Sequence, residues 1–430
     1  MRKPSVLLLL LLAILPLFGS MPAEVYSPVL LDSQESLQTI DPLRVLAPNQ
    51  QKWVEETTVS LLTVGPGDPL YAWFGHSALI VSLPSGTKVM YDWGIFDYNQ
   101  EHFYLNFARG RMYYYVLQSN ARWRIDEAIE EGRDVRLIDL KLTPSAQFAI
   151  IEYLQTYVGT SPSTYLYHFY DDNCSTRIRD IINVATDGAF EKWAKGQSTG
   201  KSIRELADSF MMHRPFTNWV LSALQGPSID QKVSRWEAMF LPLELERAII
   251  DFTDAQGSSL AANVEEVAVA TKAQIDGRSP MTIAIILSLS LLFLLQVLGL
   301  AAPSWKRTFL AFCYLFLAVL GSVLLFMMVA SDMDMTYANR NVLIINPLLF
   351  IPALFLLVGK RKHSLIITLF FAATVVLFGL GLRGGQANLT TTLVLLPLYL
   401  SGAAFKRSGN IKRVEAIEVE APSGEDGRKR

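Results

Sequence analysis

The stretch Tyr170-Asp171-Asp172-Asn173-Cys174-Ser175-Thr176-Arg177 holds one of only two cysteines in 430 residues. Beyond it, Ile178, Ile181, Ile182 and Val184 recur at helical spacing, so a helix beginning near Asn173 carries Cys174 in its first turn. Free N–H groups at a helix start carry partial positive charge and lower a thiol pKa. Asn173 or Asp172 can cap this helix. The same geometry turns the Cys174 N–H toward a developing oxyanion. Against this stands the commoner fate of an isolated cysteine, a small buried apolar group.

The rest of the chain says where that thiol works. Met1-Arg2-Lys3-Pro4 followed by the apolar run Val6 to Phe18 reads as an export signal or retained anchor over 1–23. Charged residues are only 18% and mean hydropathy is +0.27, but the apolar excess is concentrated in 281–405. Five apolar segments lie there, about 281–302, 308–330, 343–358, 364–382 and 389–405. The third and fifth are near the lower end of the ~17–25 residues needed to span a bilayer. Lys306, Arg307, Lys360, Arg361, Lys362, Lys406, Arg407, Lys412 and Arg413 fall on one side, and only Arg340 and Arg383 in the short loops of the other. The positive-inside rule puts the first group in the cytoplasm and the soluble part outside. Cys174 then faces an oxidising compartment, away from Cys313 in a membrane segment, where an unpaired thiol suggests that its chemistry is used. A net charge of −2 without a basic stripe argues against a nucleic-acid partner.

The domains expected are an exported domain over 24–255, a linker over 256–280, a five-helix membrane domain over 281–405 and a charged cytoplasmic tail over 406–430. Within the exported domain, Thr57 to Val64, Ser77 to Ser82, Lys88 to Trp93, Arg111 to Leu117 and Arg133 to Leu142 read as strands. Turns fall at Gly65-Pro66-Gly67-Asp68-Pro69 and Pro84-Ser85-Gly86. Gln147 to Val158 reads as a helix, and 189–255 as mainly helical. The fold class is α+β: a small antiparallel sheet with a cysteine-bearing helix, a helical extension and an all-α transmembrane bundle.

A cysteine nucleophile needs a base, usually a histidine. His76, in Phe74-Gly75-His76-Ser77-Ala78, stands where a glycine-relieved turn enters a strand, and Asp92 on the returning strand can orient its ring. Cys174, His76 and Asp92 are therefore the expected catalytic set. His102 beside Phe103 and Tyr104, His168 between Tyr167 and Phe169, and His213 beside Met211 and Met212 read as packing or hydrogen-bonded groups, and His363 as cytoplasmic. No His-x-x-x-His or comparable spacing calls for a metal, and no cofactor is expected. Arg109, Arg111, Arg177 and Arg179 could hold a lipid headgroup phosphate. Solvation or ion pairing with Asp171, Asp172 or Asp180 is the plainer alternative.

In order along the chain, Gly65-Pro66-Gly67-Asp68-Pro69-Leu70-Tyr71, Phe74-Gly75-His76-Ser77, Tyr91-Asp92-Trp93-Gly94-Ile95-Phe96-Asp97, Phe107-Ala108-Arg109-Gly110 and Tyr170 to Asp180 form a set. This set resembles the exported domain of the bacterial Lnb family of lipoprotein N-acyltransferases over about 55–250. Loop 331–346, with Thr336, Asn339, Asn341 and Asn346-Pro347, looks like the polar outer loop of that family. The order of His before Cys is also similar to circularly permuted papain-like enzymes such as lecithin:retinol acyltransferase. The resemblance implies a multi-pass protein of the bacterial inner membrane with its catalytic domain in the periplasm. It implies a phospholipid acyl donor, a Cys174 thioester and, as acceptor, the N-terminal amine of a diacylglyceryl lipoprotein. Tyr71, Arg109, Asn173 and Arg177 are the substrate contacts expected. The rival readings are an exported cysteine hydrolase, such as a peptidoglycan peptidase or amidase, and a non-catalytic envelope binding module.

Overall fold

The computed structural model describes residues 36–97, 99, 102–160, 163–271, 280–359, 368, 369, 372 and 389–403. Its strands are β1 (Thr58–Val64), β2 (His76–Ser82), β3 (Lys88–Ile95), β4 (Tyr113–Asn120), β5 (Val135–Leu140), β6 (Thr164–Leu166), β7 (Ser198–Ser202), β8 (Lys232–Ser234) and β9 (Ala261–Ala268). Seven form one antiparallel sheet of order β6-β4-β3-β2-β1-β5-β9, and β7 pairs with β8 apart from it. β1 is central because its Val, Leu and Thr side chains suit a strand covered on both faces. It pairs with β2 in the register Leu61↔Leu79 and with β5 in the register Leu62↔Leu137.

The twofold alternation of a strand then sorts side chains between two layers. Leu61, Leu79, Val81, Tyr91 and Trp93 pack with Ile178, Ile181 and Ile182 of the cysteine helix, Cys174–Ala185, and with Ile150 and Leu154 of helix Pro144–Tyr157. Leu62, Val64, Ala78, Ile80 and Met90 pack with Ala121 and Ala128 of helix Ala121–Glu130. Burying each large apolar side chain contributes about 1.5–3 kcal/mol. Several such contacts fix the start of the cysteine helix against the ends of β2 and β3.

The five strands expected are present, with bounds shifted by a few residues. The α+β class with a helical C-terminal region stands. The stretch 256–280 is more than a linker: Ala261–Ala268 is edge strand β9, bonded to β5 from Val135↔Ala268 to Leu140↔Ala261. The region 189–255 is helical apart from the β7–β8 ribbon.

In the C-terminal half, Pro280–Ala301 and Pro303–Ala330 are long apolar helices, and Arg340–Leu357 is a third stretch long and apolar enough to cross a membrane. Leu389–Gly402 is a shorter apolar helix. Most of 364–382, the 1–23 signal segment and the 406–430 tail lie outside the described residues. The helix Pro303–Ala330 spans about 42 Å at 1.5 Å per residue. It separates Lys306 and Arg307 at one end from loop 331–346 at the other.

That loop is bonded to the exported domain. The Asp332 N–H donates to the Arg109 carbonyl at 2.7 Å, and the Gly226 N–H to the Met335 carbonyl at 2.7 Å. Asn339 and Asn341 each donate from Nδ2 to the Ala223 carbonyl at 2.9 Å. Met333 and Met335 enter an apolar cluster with Trp73, Met112, Tyr170 and Phe240. The loop and the exported domain therefore share one side of the membrane helices, as the charge pattern requires.

Candidate active site

Asn173 is the cap of the cysteine helix. Its Oδ1 accepts from the N–H groups of Ser175 at 2.8 Å and Thr176 at 3.0 Å, and the Thr176 hydroxyl accepts from the Asn173 N–H at 2.7 Å. This cap leaves the Cys174 N–H, at the first helical position, without an intrahelical partner. The Asn173 Nδ2 donates to the carbonyls of Phe169 at 2.8 Å and Phe240 at 3.0 Å. Every polar atom of that buried side chain is thus committed to the fold, so Asn173 is a cap and not the substrate contact expected.

β2 begins at His76, and the β2–β3 pairing reaches only Leu79↔Tyr91 before β3 passes into an irregularity between Asp92 and Ile95. Gly94 sits in that irregularity with φ +89°, and a Cβ added to it would stand 3.8 Å from the Cys174 Cβ. The left-handed backbone at Gly94 turns the strand away, and the cysteine helix packs against the strand end. There the His76 ring and the Ser77 backbone N–H stand close enough to Cys174 to act on its thiol, and His76 Nε2 meets Asp92 Oδ1. The sequence-derived set of Cys174, His76 and Asp92 is one cluster.

Its electrostatics follow from burial and charge. Burial alone pulls the His76 pKa down, but Asp92 and Cys174 outweigh it and push it up to about 10. Burial raises the Cys174 pKa, yet the His76 charge, the His76 bond and the Ser77 N–H bring it below its ordinary value. Asp92 has no exposed side-chain surface; burial raises its pKa, and His76 with Arg124 carries it below the usual carboxylate range. These influences all act to move the proton from the Cys174 thiol toward His76, with the Asp92 carboxylate behind the ring.

Arg124 was not singled out in the sequence. It donates from Nε at 3.2 Å and Nη2 at 2.8 Å to Asp92 Oδ2, and from Nη1 to Glu127 at 2.7 Å. A signal was present: Ala121, Ile125 and Ala128 form the inward stripe of an amphipathic helix, and Arg124 falls on it. A charge on an apolar stripe needs a buried partner.

The remaining candidates lie elsewhere. The Arg177 guanidinium is buried, paired with both oxygens of Asp172, and held 4.1 Å over the Tyr165 ring. Arg179 pairs with Asp180 at 2.8 Å and donates to the Trp236 carbonyl at 3.2 Å. The expected Arg177 substrate contact is therefore corrected to a structural ion pair, the plainer alternative for these arginines. Tyr71 is 66% exposed in the turn Leu70–Ala72 and has no bond to Cys174. Arg109 ends helix Phe103–Ala108 beside the outer loop. His168 donates from Nε2 to Asp334 at 2.9 Å, while its Nδ1 accepts the Asp171 N–H at 3.0 Å. It ties the turn before the cysteine helix to the outer loop. His213 lies beyond helix Ile203–Met211 against Trp73, and both cysteines are free.

Residues 49–209 match the family described as the Lnb N-terminal periplasmic domain, and residues 272–404 match the Lnb transmembrane domain. The chain belongs to the Lnb family. No curated protein and no solved structure shows a match to it. The Lnb periplasmic match contains Cys174, His76, Asp92 and Arg124 in full, so the whole cluster is built within that unit. The Lnb transmembrane match contains loop 331–346, whose contact with Arg109 joins the two, while its bonds to Ala223 reach the segment between them. The chain is thus a membrane protein with a periplasmic domain.

Proposed function

We propose that this chain is a lipoprotein N-acyltransferase that carries an acyl group on Cys174. The observation that supports it most is the Cys174–His76–Asp92 cluster, with the thiol at a helix start and its pKa lowered by His76. The thiolate attacks the ester carbonyl carbon of a phospholipid. A C–S bond forms, and the oxyanion faces the Cys174 N–H. Collapse breaks the ester C–O bond, the His76 imidazolium gives its proton to the departing alkoxide, and lysophospholipid leaves. The neutral N-terminal amine of a diacylglyceryl lipoprotein then attacks the thioester. His76 takes the amine proton, the C–S bond breaks, and the thiolate is restored.

Family membership and the bonded outer loop support an acyl acceptor and donor that are both anchored in the bilayer. In this reading the protein is multi-pass in the bacterial inner membrane, Arg109 stands beside the outer loop where headgroups would lie, and Tyr71 is exposed to them. The test is the mass of lipoprotein N-termini in cells whose only such enzyme is this protein or its Cys174→Ala or His76→Ala variant. N-acylation should require both side chains. Its persistence in either variant overturns the proposal. Loss of wall-peptide cleavage with unchanged lipoproteins would favour a hydrolase.

A further inference from the structure

Helix Phe103–Ala108 leaves Leu105 and Phe107 each 47% exposed. These side chains end a continuous run of rings. Phe107 stacks on Phe103 at 6.4 Å, Phe103 on Phe96 at 6.1 Å, Phe96 on Tyr114 at 4.9 Å, and Tyr114 on Tyr167 at 4.4 Å. The five rings come from four separate places: the segment after β3, helix 103–108, β4, and the segment after β6. Phe107 is exposed, Phe103 and Phe96 are half-buried, and Tyr114 and Tyr167 pack against the core, so the run leads from the surface inward.

Both ends of the strip have a definite location. At the inner end, Tyr167 and Cys174 pack against the same core, and the Cys174 charge, after burial, holds the Tyr167 phenol neutral. At the outer end, Gly110 lies against Ser331 and Met333, directly after the membrane helix that stops at Ala330. The strip thus runs from near the top of the membrane helices to Tyr167, next to His168, whose backbone pairs with Asp172 two residues before Cys174.

We propose that this strip is the track for the donor's acyl chain, which passes Leu105 and Phe107 and lies along Phe103, Phe96 and Tyr114 to deliver its ester carbonyl beside Tyr167. This deepens the acyl-transfer reading and rests on it. An apolar occupant follows from a strip of rings without a charged side chain. The donor chain, and not the acceptor's lipid, follows from continuity with Cys174, because only the donor's chain is bonded to the carbonyl that must reach sulfur.

The half-reaction without acceptor isolates the donor. Full-length protein is mixed either with vesicles of a dipalmitoyl phospholipid or with p-nitrophenyl acetate, and the Cys174 adduct is timed by intact mass. In Phe96→Ala the palmitoyl-to-acetyl rate ratio should fall on the order of tenfold, from lost apolar contact along the chain. Phe96→Leu should recover most of it. A ratio within about twofold of the parent in Phe96→Ala overturns the track while leaving Cys174 chemistry intact. A parallel fall with both donors makes Phe96 structural and also overturns it. If the parent forms no adduct with either donor, the acyl-transfer reading itself falls.

Discussion

Arg124 donates two hydrogen bonds to Asp92 Oδ2 while His76 takes Asp92 Oδ1, so one buried carboxylate is held between two cations. Arg124 touches neither the thiol nor a reacting atom; it is a positioning residue. Replacing it with Met leaves a buried carboxylate with one partner fewer. Breaking such a buried pair typically costs about 3–5 kcal/mol. With less positive charge nearby, Asp92 protonates at higher pH, which moves the acid limb of Cys174 acylation upward. Lys at this position should restore part of the charge but not the two-point geometry. A pH profile of single-turnover acylation in the three proteins reads the shift; a lower rate with an unmoved acid limb would mean that Arg124 serves stability alone.

Asp92→Asn keeps a hydrogen-bonding partner for His76 but removes its charge. His76 then loses the largest influence raising its pKa, and Cys174 loses the imidazolium that lowers its own. The thiolate form should become scarce at neutral pH, with acylation falling by about 10²-fold and recovering as pH rises toward the ordinary thiol range. Alkylation of Cys174 by iodoacetamide against pH gives the same information without substrate. An unchanged alkylation profile would show that Asp92 does not tune the pair.

How much of this was legible depended on whether a residue's partner was local. Cys174 and His76 could be read because each sits at a marked element boundary, Asn173 before a helix and Gly75 before a strand. Asp92 followed from the return of a hairpin. The local partners of Asn173 and Arg177, the helix start and Asp172, were legible; what local pattern could not show is that distant groups use up the rest of each side chain, the Phe240 carbonyl 67 residues on and the Tyr165 ring of β6, a strand of three residues. β9 escaped because an exposed edge strand shows no apolar alternation; Asn263, Glu265 and Glu266 look like linker and are held by backbone bonds to β5. Arg124 could have been found by asking what a charge does on an inward stripe.

The raised His76 pKa makes a statement about stability with a definite sign. A group whose folded pKa lies above its unfolded value stabilises fully below the unfolded value, here 6.5, and loses that contribution as pH climbs toward about 10. Cys174, lowered from 9.0, has the opposite trend, gaining stability as pH rises up to 9.0, so the two partly cancel in the wild type. Asp92 adds stability above 3.8 that is lost as acid carries the pH through its depressed folded value. Cys174→Ala removes the cancellation, and with it the Cys174 share of the His76 rise, so its melting temperature should decline above pH 6.5 more steeply than that of the wild type, over a window that closes below pH 10. Adding His76→Gln should flatten that decline. A decline of equal slope in both variants would assign it to other groups.

The junction between the exported domain and the membrane helices rests on close backbone contact more than on charge. Arg111 and Asp332 pair at 2.7 Å, but both are exposed, and such pairs contribute about 0–1 kcal/mol. Gly110 beside them has φ +74°, and a Cβ there would meet Met333 Cγ at 2.7 Å and the Met333 backbone N at 2.9 Å. A left-handed backbone costs a non-glycine residue about 1–2 kcal/mol before any clash, and a backbone atom cannot step aside as a side-chain tip can. Gly110→Ala should therefore lift loop 331–346 from Arg109 and expose it to protease, whereas Asp332→Ala should leave the cleavage pattern near that of the wild type. Because Cys174 and His76 are built wholly within the exported domain, Gly110→Ala should slow acylation from vesicles much more than acylation from p-nitrophenyl acetate. Equal loss with both donors would mean that the junction shapes the thiol site and not its access to the bilayer.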